Sequence, residues 1–298
     1  MRLSSLVAFS LLFAIVATVL LVWFYPSDTD FSAKNPFWDG LSKFNERFHA
    51  KSLSSLNDLP SEPDRTVLVE IPYRQFSIEE GRQLQDYVHR GGTLLLLDDY
   101  GYGNQVLSML GQSMRFSGSP LVDPLFNYNS SALPVIFQLA GVASNCESIL
   151  LNHATVLYES TEKALAVSSP LSYLDENDNG ALDQGESTGP FTVAAYTQVG
   201  NGLLIAVADP SILINSTLTL NDNLRFVSAL VGAAGPETEV LVDHSHLEAD
   251  TLDKTKGALS WIRESASRPP GVIFLTVAAV LIPFVPLLHR KGLRIHGA

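Results

Sequence analysis

GGTLLLLDDYGYGN, residues 91–104, is the most informative stretch of this sequence. Two glycines end a preceding helix, and Thr93–Leu97 form an apolar run that Asp98, Asp99 and Tyr100 follow directly. An apolar run of this length between turn residues is typical of a strand covered on both faces, as in a parallel sheet. Polar residues just beyond the carboxyl end of such a strand lie where open α/β sheets form their ligand crevices. We therefore predict a central strand here, with a candidate site at its end.

The segments on either side predict the rest of the sheet. Val67–Ile71 is a second apolar, β-branched run, and Ser77 with Glu80 forms a capping box that begins a helix ending near Arg90. A strand, a helix and a strand within about thirty residues indicate a right-handed βαβ unit. Residues 191–208 contain two further apolar runs around a glycine-rich turn, which predicts an antiparallel hairpin. The predicted fold class is therefore α/β, with a mixed, mostly parallel sheet.

Both ends of the chain carry long apolar runs. Leu6–Phe24 is uncharged and about as long as a bilayer crossing, and Val272–Leu288 is a shorter run with two internal prolines. Basic residues follow the second run and acidic residues follow the first, which predicts that both termini are cytoplasmic and the main domain extracytoplasmic. A cleaved signal peptide is the alternative for the first run, and a buried core helix is the alternative for either. The predicted boundaries are a membrane anchor at 1–25, a linker at 26–38, an extracytoplasmic α/β domain at 39–247, a juxtamembrane helix at 248–270, a second transmembrane helix at 271–289 and a cytoplasmic tail at 290–298.

The charge of the chain restricts its partners. The formal net charge is −12, and binding to nucleic acid needs clustered lysine and arginine, so we expect no nucleic-acid partner. The single cysteine, Cys146, excludes an internal disulfide. Because its surroundings lack the glycine-flanked elbow between a strand and a helix, we predict a structural or surface thiol and not a nucleophile. The expected partners are the lipid bilayer and a membrane or envelope protein.

The motif with the clearest chemistry is DENDNGALDQGE, residues 175–186, which fits a calcium-binding loop. Oxygen ligands in this spacing suit the flexible coordination of Ca²⁺, and a glycine at the sixth position makes the sharp turn. Prolines on both sides argue against a complete EF-hand, so we predict a structural calcium loop between strands. A polar hairpin that binds no metal is the alternative. The predicted ligands are Asp175, Asn177, Asn179, the carbonyl of Ala181, Asp183 and Glu186.

Several acids and histidines fall at predicted strand ends, where a doubly wound sheet could bring them to one crevice. Such a set could hold a metal or act as an acid–base pair, although helix caps, turns and solvated loops also use these residues. His244 and His246 alternate, so on a continuing strand they would share a face. The strand-end set is Glu70, Asp98, Asp99, Asp209, Asp243, His244 and His246, and the catalytic candidates among them are Asp98, Asp99, Asp243, His244 and His246.

Four stretches together resemble a family of membrane-anchored prokaryotic proteins that is known only as a domain of unknown function. They are the GGTLLLLDDYGYGN unit, the SPLSYLDENDNGALDQGESTGPF loop, the VADPSILINSTLTLNDNLRFVSALVG segment and the VLVDHSH strand. The resemblance implies a flavodoxin-like, three-layer sheet similar to class I glutamine amidotransferases and to accessory subunits of gliding-motility-type transporters. Those amidotransferases use a cysteine after a central strand, whereas the matching turn here holds Asp99, Tyr100 and Gly101. We therefore expect no amidotransferase activity.

These observations favour a binding role over catalysis. The leading hypothesis is a membrane-anchored, extracytoplasmic module that binds a ligand or a partner protein at the strand ends and serves a transport or envelope system. The first alternative is a metal-assisted hydrolase that uses Asp243, His244 and His246 with Asp98 or Asp99. The second is a structural envelope protein stabilised by calcium.

Overall fold

The computed structural model of the chain describes residues 3–159, 163–247 and 251–267. The chain divides into two units, one containing the residues up to Tyr25 together with those from Ala249 onward, the other comprising Pro26–Glu248. The second unit carries the sheet and all the candidate site residues.

Six α-helices are present in the described part of the chain. Their bounds are α1 Leu3–Phe24, α2 Ser42–Phe48, α3 Ile78–His89, α4 Gly103–Met109, α5 Asn223–Gly232 and α6 Thr251–Ser267. The helix α3 begins at the predicted capping box, because the Ser77 hydroxyl accepts a hydrogen bond from the Glu80 backbone and the Glu80 carboxylate accepts one from the Ser77 backbone. Short 3₁₀ turns occupy Leu56–Asp58, Gly141–Ala143 and Pro210–Leu213.

Fourteen strands are present in the same residues. Their bounds are β1 Lys51–Leu53, β2 Thr66–Glu70, β3 Thr93–Leu97, β4 Arg115–Phe116, β5 Leu121–Val122, β6 Val135–Ile136, β7 Gln138–Leu139, β8 Ile149–Leu150, β9 Leu157–Tyr158, β10 Ala164–Val167, β11 Tyr173–Leu174, β12 Thr192–Val199, β13 Gly202–Val207 and β14 Glu239–Asp243. The main sheet has the order β1-β14-β2-β3-β13-β12-β10-β7, with β9 beside β12 and β4 beside β9. Two small two-stranded sheets, β11-β5 and β6-β8, lie outside it.

The strand β3 lies in the middle of the main sheet, as predicted. It pairs in parallel with β2 on one side and with β13 on the other, and β1 and β14 extend the parallel part of the sheet. Every residue of β3 is buried, including Leu94–Leu97 at 0% exposure. This explains the continuous apolar run, because a strand covered on both faces has no solvent side that would require alternation.

The predicted hairpin is also present, as the antiparallel pair β12 and β13. It joins the parallel part of the sheet where Gly202 lies opposite Gly92. A Cβ at Gly202 would lie 2.2 Å from the carbonyl oxygens of Gly92 and Val88, so this close approach requires glycine. The sheet is therefore mixed, as the sequence indicated. The neighbouring strands β1, β14, β2, β3 and β13 are parallel, and β12 pairs antiparallel with β13.

Residues 26–38, which we predicted to be a linker, lie within the folded unit. Phe31 belongs to the hydrophobic core, and the Asn35 side chain is fully buried. Its amide donates hydrogen bonds to the Thr29 carbonyl and to the Asp39 carboxylate, at 3.0 Å each. These contacts tie the segment to the start of the domain.

The predicted transmembrane helices require a correction. A bilayer crossing needs about 20 consecutive, predominantly apolar residues in one helix. Among the described residues, no helix combines the necessary length with the necessary apolar character, and this finding contradicts the span predicted at Leu6–Phe24. The membrane helix predicted at the N-terminal end of the α/β fold, and with it the two-span membrane location, are therefore wrong. The second predicted run, Val272–Leu288, lies outside the described residues.

Candidate functional site at the strand ends

The strand-end residues form two groups at the carboxyl edge of the parallel strands. Glu70 ends β2 and Asp243 ends β14, and these two strands are neighbours in the sheet. Asp98 and Asp99 follow β3, and Asp209 follows β13, its neighbour on the other side. Because adjacent parallel strands end at the same edge, both groups lie along one edge of the sheet, the first at β14 and β2 and the second at β3 and β13.

The first group is a buried triad of Glu70, Asp243 and His246. One ligand-type atom from each residue lies within 4.8 Å of the other two. The His246 Nδ1 atom is 2.5 Å from Asp243 Oδ2 and 3.9 Å from Glu70 Oε1. The imidazole also stacks on the Phe76 ring with a centroid distance of 3.7 Å, which holds the ring plane. The structure therefore brings together Asp243 and His246 of the predicted strand-end set.

The electrostatics of the buried triad follow from its burial. Burial first, and then the neighbouring Asp243 carboxylate, raises the pKa of Glu70 well above its ordinary value. Hydrogen bonds from His246 and Ser245 outweigh the effect of burial on Asp243 and lower its pKa. The arrangement therefore favours a neutral Glu70 beside an ionised Asp243, since two adjacent buried carboxylates resist ionising together.

His244 does not join the triad, and the reason is local backbone geometry. The strand β14 ends at Asp243, and the next residues form bends, so the two histidines do not continue one strand face. The His244 backbone N–H donates to the Leu53 carbonyl at 2.9 Å, which extends the pairing with β1. The continuing strand on which His244 and His246 would share a face is therefore absent at this point of the chain.

Asp98 and Asp99 shape the turn after β3 and do not belong to the triad. The Asp98 carboxylate accepts backbone hydrogen bonds from Gly101 at 2.8 Å and Gly103 at 2.7 Å. A Cβ at Gly103 would lie 2.5 Å from Asp98 Oδ2, which explains the glycine at this position. Burial raises the pKa of Asp98 to about 6 in spite of these two donors. Asp99 accepts a hydrogen bond from the Tyr100 backbone at 2.7 Å, and burial raises its pKa as well.

Asp209 is a fully buried acid that follows β13. Its carboxylate accepts hydrogen bonds from the backbone N–H groups of Asn152 and Ser211, both at 2.7 Å. Burial is the largest effect and raises the pKa of Asp209 to about 8, with a further contribution from the Asp99 charge. The carboxyl group therefore anchors the segment around Asn152 to the end of β13.

We expect this acid to make the protein less stable as the pH rises. Between about pH 5 and pH 7 the unfolded chain has lost the Asp209 proton while the folded chain retains it. Relative to an Asp209→Asn variant, the free energy of unfolding of the unmodified chain should fall by about 2–3 kcal/mol over this window. Urea unfolding of both proteins at several pH values measures the difference, and parallel pH profiles would contradict the prediction.

A cleft opens above the second group. Its volume is about 380 Å³, and it is lined by Tyr100, residues 118–120, His153 and the acidic residues Asp175, Glu176 and Asp178. The Tyr100 hydroxyl donates a hydrogen bond to the His153 carbonyl at 2.8 Å. Burial, followed by the charges of Asp99, Asp209 and Asp178, raises the pKa of Tyr100. Because three acidic residues line the cleft and further acidic residues lie near the phenol, the cleft is electronegative.

The predicted calcium loop forms one wall of the cleft. Asp175 is buried, and its carboxylate accepts hydrogen bonds from the backbones of Asn179 at 3.0 Å and Gly180 at 2.7 Å. The Asp183 carboxylate accepts hydrogen bonds from the side-chain amides of Asn177 and Asn179, and these bonds lower its pKa. The Glu186 carboxylate accepts hydrogen bonds from the backbone N–H groups of Glu176 and Asp183, both at 2.9 Å. The Ala181 N–H donates a hydrogen bond to the Asn179 side-chain oxygen. The loop is thus closed by its own polar groups, and calcium binding stays a prediction.

Two asparagines that carried the resemblance have structural roles that the sequence did not indicate. Asn223 is fully buried and makes hydrogen bonds with both the N–H and the C=O of Leu150. The Asn215 side chain accepts from the Lys43 backbone and donates to the carbonyls of Asn35 and Phe37. Each amide joins segments that are far apart in sequence, so both residues stabilise the fold. Of the two alternatives predicted for Cys146, the structure places the side chain in the buried one, and burial raises the pKa of its thiol.

The sequence profile of a family described as "Domain of unknown function (DUF4350)" matches residues 33–231. A search of curated proteins found no match. Among solved structures, the chain is similar to "mmIFT52 N-terminal domain", with 11% identity, a TM-score of 0.49 and coverage of 65% of this chain and 89% of that chain. It is similar to a putative ThuA-like protein from Bacteroides uniformis, with 13% identity, a TM-score of 0.38 and coverage of 63% and 78%.

A β-galactosidase from Bacillus circulans sp. alkalophilus shows 16% identity, a TM-score of 0.32 and coverage of 52% of this chain and 22% of the enzyme. The present chain thus corresponds to less than a quarter of that enzyme's length. Similarities of this size carry no argument about activity.

Proposed function

This chain belongs to the DUF4350 family, whose function is unknown, and we propose from its site that it is a binding module for a small, positively charged polar ligand. The observation that carries the proposal is the electronegative cleft at the carboxyl edge of the parallel strands, between the turn after β3 and the acidic loop. Open α/β sheets bind their ligands at this edge.

The cleft has the polarity that a ligand with an ammonium group would need. The acidic residues Asp175, Glu176 and Asp178 line the cleft together with Tyr100 and the exposed His153. Tyr100 is 47% exposed, so its ring is accessible to a cation as well as to hydrogen-bonding groups. The carboxylates would attract the ligand, and the aromatic ring would offer it a face.

We expect spermidine, used as an amine probe, to bind the full chain in isothermal titration calorimetry, and the uncharged polyol sorbitol to give no heat. A Glu176→Gln/Asp178→Asn double variant removes two charges at the cleft and should weaken spermidine binding about 5- to 10-fold. Both side chains are exposed, so the substitutions should leave the fold unchanged. Binding should also weaken as salt is added.

The matched control is Glu62→Gln/Asp64→Asn. It changes the net charge by the same amount at two exposed residues that precede β2, at the opposite edge of the sheet. This variant should bind spermidine as the unmodified chain does. Equal affinities of the two double variants, or no spermidine heat with the unmodified chain, would refute the proposed cleft.

A further inference from the structure

Glu70 in the buried triad is a polar side chain that no donor group of the described residues satisfies. It is fully buried, neither of its carboxylate oxygens accepts a hydrogen bond, and the one hydrogen bond open to it is from its protonated carboxyl group to Asp243. A buried carboxyl group without a partner is costly, and proteins usually avoid one or use it to hold a ligand. The groups beside it are the Asp243 carboxylate and the His246 imidazole.

These three groups have the composition and spacing of a metal site. One oxygen of Glu70, one oxygen of Asp243 and one nitrogen of His246 lie within 4.8 Å of one another. Ligand atoms around a tetrahedral cation with bonds of about 2.0–2.2 Å are separated by roughly 3.4 Å, so small side-chain rotations would bring all three into reach. We propose that the buried triad binds one divalent transition-metal cation, with Zn²⁺ as the representative ion.

The surrounding residues orient the three ligands as outer-shell groups do in metal sites. The Ser245 backbone and hydroxyl donate to Asp243 Oδ1 at 2.9 and 2.7 Å, while Oδ2 faces the imidazole. The second ring nitrogen of His246, Nε2, lies 3.7 Å from a Glu80 carboxylate oxygen. A carboxylate beside the distal nitrogen of a ligating histidine fixes its orientation and increases its basicity.

The donor set selects the class of metal. An imidazole nitrogen combined with two carboxylates suits zinc and neighbouring transition metals better than Ca²⁺ or Mg²⁺, which prefer all-oxygen sites. The site is therefore chemically distinct from the loop at 175–186, which offers oxygen ligands only. This difference allows zinc binding at the triad to be separated from calcium binding at the loop.

The test uses the full chain, freed of metal with a chelator and then dialysed against ZnCl₂. We expect about one tightly bound zinc per chain by elemental analysis, no displacement by excess Ca²⁺, and a melting temperature about 5 °C or more higher at saturating zinc. Glu70→Gln keeps the size of the side chain but removes the ligand charge, and it should lower the zinc affinity at least 10-fold. The matched control, Glu186→Gln, makes the same change in the acidic loop and should retain the zinc.

Retention of zinc by Glu70→Gln, or no bound zinc in the unmodified chain, would show that the triad is a hydrogen-bonded cluster without a metal. If Glu70→Gln does not fold, cobalt titration of the unmodified chain decides. Bound cobalt should give visible absorption bands that added zinc abolishes, and the Glu186→Gln chain should show the same bands. This result would support the metal site. The absence of such bands would overturn the proposal.

Discussion

Leu95→Ala should lower the free energy of unfolding by about 4 kcal/mol, because it removes a large side chain from the most enclosed strand of the sheet. Leu95 is 0% exposed and lies in register between Val69 of β2 and Ile205 of β13. The neighbouring strands are fixed by their backbone hydrogen bonds, so they cannot move far enough to fill the cavity. Part of the cost is therefore lost apolar burial and part is the cavity itself.

Urea unfolding of the full chain, followed by circular dichroism, measures this effect. The matched control is Leu182→Ala, which makes the same substitution at a leucine that is 54% exposed in the acidic loop. The control should change the free energy of unfolding by less than about 0.5 kcal/mol. A loss below about 1 kcal/mol for Leu95→Ala would mean that β3 is not the enclosed centre of the sheet.

Asn223→Leu should have an effect of similar size for a different reason. The Asn223 side chain is fully buried, and its oxygen accepts a hydrogen bond from the Leu150 N–H at 2.8 Å. Its amide nitrogen donates to the carbonyls of Leu150 at 2.9 Å and Thr217 at 3.1 Å. Leucine fills a similar volume but leaves these three backbone groups without that partner. At about 1–3 kcal/mol for each buried unsatisfied group, we expect a total loss of about 4 kcal/mol.

An Asn223→Asp variant refines this prediction, since aspartate retains the acceptor for Leu150 N–H and loses both donors. It should fold with a loss that is measurable by the same urea experiment. Asn57→Leu is the matched control, because Asn57 is exposed before β2, and it should stay within about 0.5 kcal/mol of the unmodified chain. If the Asn223→Leu variant is as stable as this control, the hydrogen bonds of Asn223 do not stabilise the contact between β8 and α5, and the prediction is wrong.

The elements that the sequence predicted correctly are those with local causes. The strand β3 follows from an uninterrupted apolar run, and α3 begins where Ser77 and Glu80 form a capping box. The hairpin of β12 and β13 follows from two apolar runs around a glycine-rich turn. Each of these patterns depends on residues a few positions apart, so no knowledge of the rest of the chain is needed to interpret them.

The predictions that failed depend on the tertiary surroundings of a segment and not on its own residues. Apolar content and flanking charges indicated a membrane span at Leu6–Phe24, yet none of the helices in the described ranges meets the requirement for a bilayer crossing. The strand pattern also placed His244 and His246 on one face, but the chain bends after Asp243 and only His246 reaches the triad. A local pattern does not contain the information that decides where a strand ends in the folded sheet.

By itself, the sequence determined that this chain forms a mixed α/β sheet around Thr93–Leu97 and that acids and histidines stand at its strand ends. Hydrophobic periodicity and capping are short-range effects, and they suffice for that conclusion. Only the tertiary structure decided that β14 lies beside β2, which brings Asp243 and His246 to Glu70, and that the acidic loop closes a cleft over Tyr100. Those pairings join residues more than 70 positions apart, and they are selected by the packing of the whole core and not by any local pattern.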